Sequence, residues 1–343
     1  MKIKIKDIAA RANVSLATVS LVLNNKPGVR DSTREKILEI ARELNYELPE
    51  NSSNRTTLKG TVRFLKIAKH GHTVNRDHDV FIADYIDGLA EKARENAYNL
   101  EIIPFNTDEI SEVVNIARDS HSDGLIVLAT ELDYEDIKAF ESVGCPVIII
   151  DSYFGFLRFD FVDMDNAESV FQVVTNLVEN GHREIGFIRS PTSVQNFRLR
   201  EIGFKNALEY YGIPLKDQYV YSVDSTFEGS YTDMLALLKK RSKTPTALFS
   251  ANDIIAYGCI RAIKEIGLKI PQDISIIGFD DLPMSAMMDP PLTTMQVNKK
   301  RIGVSAMQLL IAKMETDSQM PAMKILIDGE LIVRNSVKNL NIG

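Results

Sequence analysis

Tryptophan is absent from this chain of 343 residues, and only two cysteines occur, Cys145 and Cys259. Both lie in apolar stretches, so we expect reduced core residues rather than a disulfide or metal framework. No apolar run approaches the roughly 18 residues that a membrane span needs. The first residues, MKIKIKDIAA, are basic but lack the apolar run of a secretory signal. These absences predict a cytoplasmic protein with no membrane partner.

The motifs of several enzyme classes are also missing. The chain has no G-x-G-x-x-G, G-x-x-x-x-G-K-[ST] or G-x-S-x-G motif, the signatures of dinucleotide sites, P-loops and nucleophile elbows. Asp280 and Asp281 are adjacent, and adjacent side chains diverge, so the pair is weak support for acid–base catalysis. His70, His72 and His78 lack a fixed spacing that would bring metal ligands together. We therefore expect neither an enzyme nor a metal or cofactor site.

Charge is distributed unevenly along the chain. The whole sequence has a net charge of −7, whereas residues 1–60 carry 11 Lys and Arg against 7 Asp and Glu. A basic end on an acidic body suggests a nucleic-acid module joined to another domain. A surplus of this size also arises by chance, so charge alone does not decide the question.

Residues 1–46 have the pattern of a small helical domain. KDIAARA predicts a first helix, a second is expected from Leu16 to about Leu23, and DSTREKILEIARELNY predicts a third. Ser32 and Glu35 have the spacing of a capping box at the start of the third helix.

A different pattern follows a polar linker, ELPENSSNRTTLKGT, at residues 47–61. From Val62 onward, short Val- and Ile-rich runs alternate with amphipathic stretches, which predicts parallel sheets covered by helices. About 280 residues are many for one sheet, so we expect two α/β lobes. The expected boundaries are about 62–160 and 292–320 for lobe 1, and about 161–291 and 321–343 for lobe 2.

The second predicted helix has two different faces. At about 100° per residue, Val19, Val22 and Leu23 cluster on the side that would pack on the first helix. The outward side has no acid that would repel phosphate groups, and Leu16 lies near the edge between the two sides. The outward residues are Ala17, Ser20, Leu21 and Asn24. Two short helices joined by a tight turn are typical of a helix-turn-helix domain, although an ordinary helical bundle has the same pattern.

The segment IKDIAARANVSLATVSLVLNNKPGVRDSTREKILEIARELNY resembles the DNA-binding domain of the lactose-repressor/galactose-repressor family. The shared elements are D-I-A, V-S-x-A-T-V-S, TREKI and LNY. The resemblance continues through VDMDNAESVFQVVTNLVENGHREIGFI, RLREIGFKNAL, TALFSANDIIAYGCIRAIKEIGLKIPQDISIIGFDD and PPLTTMQVN. Residues 47–80 and the loop after Asp151 fit poorly.

This resemblance implies a small all-α helix-turn-helix domain joined to a two-lobed α/β domain like the periplasmic binding proteins, with doubly wound parallel sheets. The implied domains are a DNA-binding domain over 1–46, a hinge over 47–61 and an effector-binding and dimerisation domain over 62–343. A small polar effector, a sugar or a sugar derivative, would bind between the lobes and change the spacing of the DNA-binding heads.

The implied function is sequence-specific transcription regulation, in the form of repression. The implied partners are pseudo-palindromic double-stranded operator DNA, the effector and a second copy of the chain. No heptad tail follows LIVRN, which favours a dimer over a tail-assembled tetramer. The alternative is a cytoplasmic solute-binding or sensor protein without a DNA function, and the helical head is evidence against it.

The resemblance places Leu16, Ala17 and Leu21 at the base-reading positions of the second helix. Many family members have Arg where this chain has Leu21, and leucine cannot make the bidentate guanine contact worth about 1–3 kcal/mol of discrimination. We favour a changed operator base over an exposed leucine of no consequence. The expected phosphate contacts are Thr18, Ser20, Asn24, Ser32 and Thr33.

Leu58 is the candidate for the hinge leucine that wedges into the minor groove and kinks DNA in this family. It follows Pro49 by nine residues, later than the family pattern, and the intervening Asn, Ser and Thr are poor helix formers. A shifted hinge helix and the absence of any hinge helix are equally supported.

Polar residues stand where several predicted strands end, and ligands of open α/β sheets bind outside those ends. Asp151 closes PVIIID, Asn252 follows TALFSA, Asp280 closes ISIIGFD, and Arg200 begins a helix. All four match effector-contacting positions of the family, although such residues also cap helices. Ser225 stands at the family's usual aromatic position, so the aromatic platform is expected elsewhere. The candidates for it are Phe81, Tyr85, Tyr153 and Phe154.

Overall fold

The computed structural model divides the chain into two compact units, residues 1–58 and 59–343. The residues that it describes are 3–23, 28–44, 46, 58–70, 79–119, 122–240, 243–316 and 320–341. Among these residues, no helix is both long and apolar enough to cross a membrane.

Three helices form the first unit: α1 (Ile5–Ala12), α2 (Leu16–Leu23) and α3 (Asp31–Glu43). The turn from α1 to α2 is tight because Asn13 adopts a left-handed conformation, with φ of 55°, which asparagine tolerates better than most residues. The backbone N–H of Val14 then donates to the Ala9 carbonyl oxygen at 3.1 Å. The small shared core consists of Ile8, Ala9, Ala12, Val19, Val22, Leu23, Ile37, Ile40 and Ala41.

The start of α3 differs from the prediction. The helix begins at Asp31, and Arg30 occupies the N-cap position without a side-chain cap. The backbone N–H of Thr33 donates to the Arg30 carbonyl oxygen at 3.0 Å, so Ser32 already lies in the first turn. The predicted capping box of Ser32 and Glu35 is therefore wrong. The Asp31 carboxylate favours the earlier start, since acids stabilise the first turn of a helix.

The second unit alternates strands and helices. Its strands are β1 (Gly60–Ala68), β2 (Tyr98–Asn106), β3 (Gly124–Leu128), β4 (Val147–Ile150), β5 (Asp160–Met164), β6 (Ile185–Arg189), β7 (Val220–Ser222), β8 (Ala247–Ser250), β9 (Ser275–Asp280), β10 (Thr293–Gln296), β11 (Lys324–Ile327) and β12 (Glu330–Ile332). Its helices are α4 (Asp79–Glu95), α5 (Ile110–Asp119), α6 (Tyr134–Ala139), α7 (Asn166–Glu179), α8 (Gln195–Tyr210), α9 (Phe227–Lys240), α10 (Asp253–Glu265), α11 (Pro283–Met287) and α12 (Lys299–Glu315).

These strands form two six-stranded sheets, one in each lobe. The order in lobe 1 is β11-β5-β4-β3-β1-β2, and the order in lobe 2 is β12-β10-β9-β8-β6-β7. Every pairing is parallel except that of β12 with β10. The central strands β3, β4, β8 and β9 are buried along their whole length, as expected of parallel strands covered on both faces.

The lobe boundaries differ from those expected. Strand β5 pairs with β4, so lobe 1 continues to Met164 instead of ending near residue 160. Strand β10, residues 293–296, pairs with β9 in lobe 2, and β11, residues 324–327, pairs with β5 in lobe 1. The expected boundaries put both strands in the opposite lobe. A short strand of four residues does not show which sheet it joins, because its distant pairing partner decides that.

The described chain crosses between the lobes three times, after β5, after β10 and between β11 and β12. The crossings lie against one another, because the Asp165 N–H donates to the Ile327 carbonyl oxygen at 2.9 Å. A Cβ atom on Gly329 would lie 2.8 Å from the Met295 sulfur and 2.9 Å from the Ser169 hydroxyl. Only glycine fits this position without displacing its neighbours.

Candidate functional site

The start of α2 is fixed by a side-chain cap. The Ser15 hydroxyl accepts a hydrogen bond from the Thr18 backbone N–H at 3.0 Å and lies 2.8 Å from the Thr18 hydroxyl. Such a cap satisfies one of the unpaired N–H groups in the first turn of a helix. Ser15 therefore sets where α2 begins and which of its side chains face outward.

Removing this cap gives a first testable prediction. Replacing Ser15 by alanine should destabilise α2 by about 1 kcal/mol, the usual cost of losing a serine N-cap. Hydrogen exchange of the α2 amides in the full chain measures the change. Ser32→Ala is the matched control, because Ser32 is exposed and does not cap α3. Equal exchange rates in the two variants would contradict the capping role.

The predicted core face of α2 is confirmed, since Val19, Val22 and Leu23 are buried. On the outward side Leu16 is 57% exposed, Ala17 is exposed and Leu21 is half-buried. The helix carries no charged residue. The base-reading role of Leu16, Ala17 and Leu21 remains a prediction.

Of the predicted phosphate contacts, Thr18 lies in the first turn of α2, Ser20 lies farther along that helix, and Ser32 and Thr33 lie in the first turn of α3. Thr18 and Thr33 are half-buried, as is Ser20, while Ser32 is exposed. Asn24 lies outside the described residues, and so does most of the expected hinge. Leu58, the candidate wedge, is 59% exposed. The contacts of these residues with DNA remain predictions.

In the second unit, residues from both lobes meet at the carboxyl ends of the strands. Asp151 follows β4 of lobe 1, and Asn196 lies on α8 of lobe 2. The Asn196 amide donates to the Asp151 carbonyl oxygen at 3.2 Å and to its carboxylate at 3.3 Å. The Gln195 amide donates to the Tyr153 carbonyl oxygen at 3.0 Å. We call the buried groups around these contacts the cleft floor: Tyr85, Asp151, Asp163, Asn166, Asn196, Arg200, Asp280 and Lys299.

Arg200 is the central cation of the cleft floor. Its guanidinium group donates to the Asn166 side-chain oxygen at 3.0 Å and to the Ala251 carbonyl oxygen at 2.6 Å. It lies 3.5 Å from the Asp280 carboxylate and stacks over the Phe279 ring at 3.7 Å. Arginine suits this position because its planar group combines several donors with an apolar face.

Asp280 is the anionic partner of Arg200. Burial raises its pKa to about 7, although the nearby Arg200 charge favours the ionised form. The Lys299 ammonium group donates to the Asp280 carbonyl oxygen at 2.7 Å. The φ angle of Asp280 is 116°, in the region that strongly favours glycine. The strained backbone of Asp280 and the burial of its carboxylate both cost free energy, which the surrounding structure has to offset.

Asp151 accepts two hydrogen bonds from side chains of lobe 1. Its carboxylate accepts from the Tyr85 hydroxyl at 2.9 Å and from the Thr130 hydroxyl. Burial raises the pKa of Asp151, and the two hydroxyl bonds oppose that shift. An aspartate held by hydroxyl donors can bind ligand hydroxyls in the same way.

Asp163 is a site residue that the sequence reasoning missed. It is completely buried in β5, next to Asp151 in the sheet, and its pKa is raised well above the ordinary value by burial and by the Asp151 charge. The available signal was a carboxylate at an inward position of the apolar strand DFVDM. Such residues are almost never fully buried unless they are paired.

Asn252 and Phe81 are also buried, with structural contacts of their own. The Asn252 side-chain oxygen accepts the Ile255 backbone N–H at 2.9 Å and so caps α10. The Phe81 ring packs edge-on against Tyr85, with 5.2 Å between centroids, and Lys299 lies 5.0 Å from its centroid. The effector contacts predicted for Asn252 and Phe81 remain predictions.

A cavity of about 390 Å³ lies between the lobes beside the cleft floor. Lobe 1 contributes Leu132, Tyr134 and Phe154, and lobe 2 contributes the loop after β6 and the first turns of α8, including Phe197. None of the five predicted effector residues lines it, and each of the five is at most 5% exposed. Of the aromatic candidates, only Phe154 lines this cavity.

Comparison with known proteins shows which family this chain belongs to. Residues 4–48 match the bacterial regulatory proteins of the lacI family, and residues 174–337 match a periplasmic binding protein-like domain. The transcriptional repressor CytR of Escherichia coli K12 is 31% identical over 337 residues, which cover 98% of this chain and 96% of CytR. This chain belongs to the LacI family.

Further LacI-family proteins match over nearly their whole length. The ribose operon repressor of Haemophilus influenzae is 30% identical, with 98% of each chain covered. The repressor PurR of Actinobacillus pleuropneumoniae serotype 3 is 29% identical, covering 98% of this chain and 99% of PurR. The lac repressor dimer bound to operator and an anti-inducer has a TM-score of 0.72 at 23% identity, covering 98% and 100%. The predicted family, fold class and regulatory function are thereby confirmed.

Proposed function

We propose that the chain is a transcription repressor that binds pseudo-palindromic operator DNA as a homodimer, under the control of a small effector bound between its lobes. The full-length match to repressors carries the proposal, because it includes both the helix-turn-helix unit and the two-lobed unit. The lac repressor neighbour is a dimer bound to operator, which supports the dimer. A repressor works where the DNA is, so we assign it to the cytoplasm, without a catalytic role.

The outward side of α2 supports major-groove reading through small and apolar groups. Leu16 and Ala17 project from the first turn of the helix, where recognition helices contact base edges. Leu21 offers an apolar contact suited to a thymine methyl group. No acid on α2 opposes the phosphate backbone.

The effector site is proposed at the cleft floor, entered from the cavity between the lobes. Asp151 and Asp280 supply acceptors at strand ends, and Arg200 supplies donors from the second turn of α8 rather than from the expected helix start. Paired donors and acceptors of this kind suit neighbouring hydroxyl groups. A sugar or sugar derivative is the proposed class, and the ribose operon repressor among the relatives agrees with it. The effector would replace interlobe contacts such as that of Asn196 with Asp151.

Selection from a random-sequence DNA duplex library tests the DNA function whatever the operator sequence is. We expect a pseudo-palindromic sequence to be enriched, and its binding to weaken steeply with salt as phosphate contacts release counterions. The selection is run with and without a mixture of common sugars. If neither condition enriches a sequence, the DNA function is refuted and the solute-binding alternative stands.

Leu21→Arg provides a specific test of the reading surface. Arginine at this position should shift one base of each selected half-site toward guanine, with about 1–3 kcal/mol of discrimination. Repeating the selection with this variant measures the shift. Replacing exposed Arg11, on α1 outside the proposed reading face, by lysine is the control and should leave the selected bases unchanged. An unaltered sequence from Leu21→Arg would remove Leu21 from the base-reading positions.

A further inference from the structure

The cleft floor has more acidic groups than cationic groups. Three carboxylates, those of Asp151, Asp163 and Asp280, lie there with two cations, Arg200 and Lys299, and all five groups are buried. In the part of the chain that the structure describes, the cleft floor contains no charged group besides these five. Nearby Asp253 is another buried acid, but hydrogen bonds from Ser285, Thr294 and the Leu282 N–H occupy it. A buried net charge is costly unless a partner compensates it.

Two of the three floor carboxylates have partners. Asp280 lies 3.5 Å from the Arg200 guanidinium group, and the charge of Lys299 also favours its ionised form. Asp151 accepts the Tyr85 and Thr130 hydroxyls and the Asn196 amide. Asp163 is therefore the floor acid whose hydrogen bonding is incomplete. Burial and the Asp151 charge raise its pKa well above the ordinary value, which favours its neutral form in the ligand-free protein, and a bound cation would favour the ionised form.

One Asp163 oxygen has no hydrogen-bond partner in the described part of the chain. Its Oδ1 accepts the Met164 backbone N–H at 2.9 Å, whereas Oδ2 is buried and unpaired. Asn196 lies near enough to favour the ionised form of Asp163, but its amide donates to Asp151. An unsatisfied buried carboxylate oxygen is rare enough in native proteins to require an explanation.

Asp163 lies at the point where the two lobes meet. Strand pairing places Ile150 opposite Val162, so the next residues, Asp151 and Asp163, are neighbours across the sheet. The following residue, Met164, contacts the Arg200 guanidinium group through its sulfur at 3.1 Å. The charges of Asp151 of lobe 1 and Arg200 of lobe 2 both act on the Asp163 carboxyl group, which places it within the proposed effector site.

We propose that the effector carries a protonated amino group, which the Asp163 carboxylate binds while Asp151 and its neighbours bind hydroxyl groups. This inference rests on the proposed effector site and narrows its ligand to a small polyhydroxylated amine, such as an amino sugar. A cation supplies the missing charge partner and donates to the free Oδ2 atom. Phosphorylated or carboxylated effectors would add further acidic groups to a floor in which acids already outnumber cations.

Matched sugars test this chemistry by titration calorimetry with the full-length protein. The probes are glucosamine, galactosamine and mannosamine, their parent hexoses, and the hexose 6-phosphates, at about pH 6.5, where these amines are mainly protonated. We expect at least one amino sugar to bind about tenfold or more tightly than its parent, as a charge-assisted hydrogen bond allows. The 6-phosphates should bind more weakly than the parents.

Asp163→Asn separates the charge from the shape of the site. The asparagine oxygen keeps the bond from Met164, so the fold should persist, and the ligand-free variant should unfold at a higher temperature. Its preference for the amino sugar should fall to about that of the parent hexose, a loss of tenfold or more. Asp108→Asn makes the same chemical change at an exposed position of lobe 1 and should leave the preference intact.

The outcomes distinguish this inference from the proposed function. Equal or tighter binding of the hexoses or their 6-phosphates overturns the cationic effector, as does the absence of binding by all three amino sugars. An amine preference that survives Asp163→Asn also overturns it. Binding to the selected DNA duplex, measured on the same preparations, reports separately on the repressor function.

Discussion

Replacing Arg200 by alanine is expected to destabilise the two-lobed unit by about 3–5 kcal/mol, the usual result of removing one partner of a buried ion pair. The change removes the Arg200 charge from beside the buried Asp280 carboxylate and leaves the charge of Lys299 near it. It also removes the donors that reach Asn166 and the Ala251 carbonyl oxygen, together with the stacking on Phe279. Urea unfolding of the full chain, followed by tyrosine fluorescence, measures the loss.

Arg189→Ala is the matched control for this experiment. Arg189 is partly exposed and lies 3.6 Å from Glu201, and surface pairs of this kind contribute about 0–1 kcal/mol. The double variant Arg200→Met, Asp280→Leu removes both buried charges and should recover most of the stability. A loss for Arg200→Ala no larger than that for Arg189→Ala would mean that Arg200 is free for the effector rather than committed to the fold.

The two-lobed unit should be less stable at about pH 8 than at about pH 5. Burial raises the pKa of Asp280 to about 7 and that of Asp253 to about 6, from an ordinary value of 3.8. Between these values the native protein holds protons that the unfolded chain releases. The free energy of unfolding therefore falls as pH rises from about 4 to about 7, by on the order of 3 kcal/mol or more for the pair.

Asp280→Asn isolates this effect from the other titrating groups. Asparagine does not titrate, so the difference in unfolding free energy between the two pH values should shrink in the variant. Asp273→Asn, at an exposed position, serves as the control and should keep the full difference. Identical pH profiles for Asp280→Asn and the original chain would show that Asp280 is ionised in the native protein throughout this range.

Local sequence patterns predicted the features that depend on neighbouring residues. Helical periodicity placed Val19, Val22 and Leu23 in the core of the first unit, since the period of a helix fixes its faces. The polar residues at the carboxyl ends of β4 and β9 were expected to meet, because the carboxyl ends of parallel strands lie on one edge. Asp151 and Asp280 do lie in one buried network around Arg200.

Features that depend on distant partners could not be predicted from the sequence. The expected boundaries put strands β10 and β11 in the wrong lobes because their partners, β9 and β5, are not evident from local pattern. The unpaired state of Asp163 depends on where the Asn196 amide points, which follows from how α8 meets lobe 1. The predicted start of α3 is wrong because Ser32 and Asp31 are both good residues for a helix start.

The interleaved lobes determine when this protein can finish folding during synthesis. Strand β11 completes the sheet of lobe 1 and β12 completes that of lobe 2, and both are translated after every other strand. Until then β5 and β10 each present an open edge, which can pair with other nascent chains. Neither sheet is complete until its last strand has been made, so we expect the nascent chain to need protection of these edges until residue 332 has emerged.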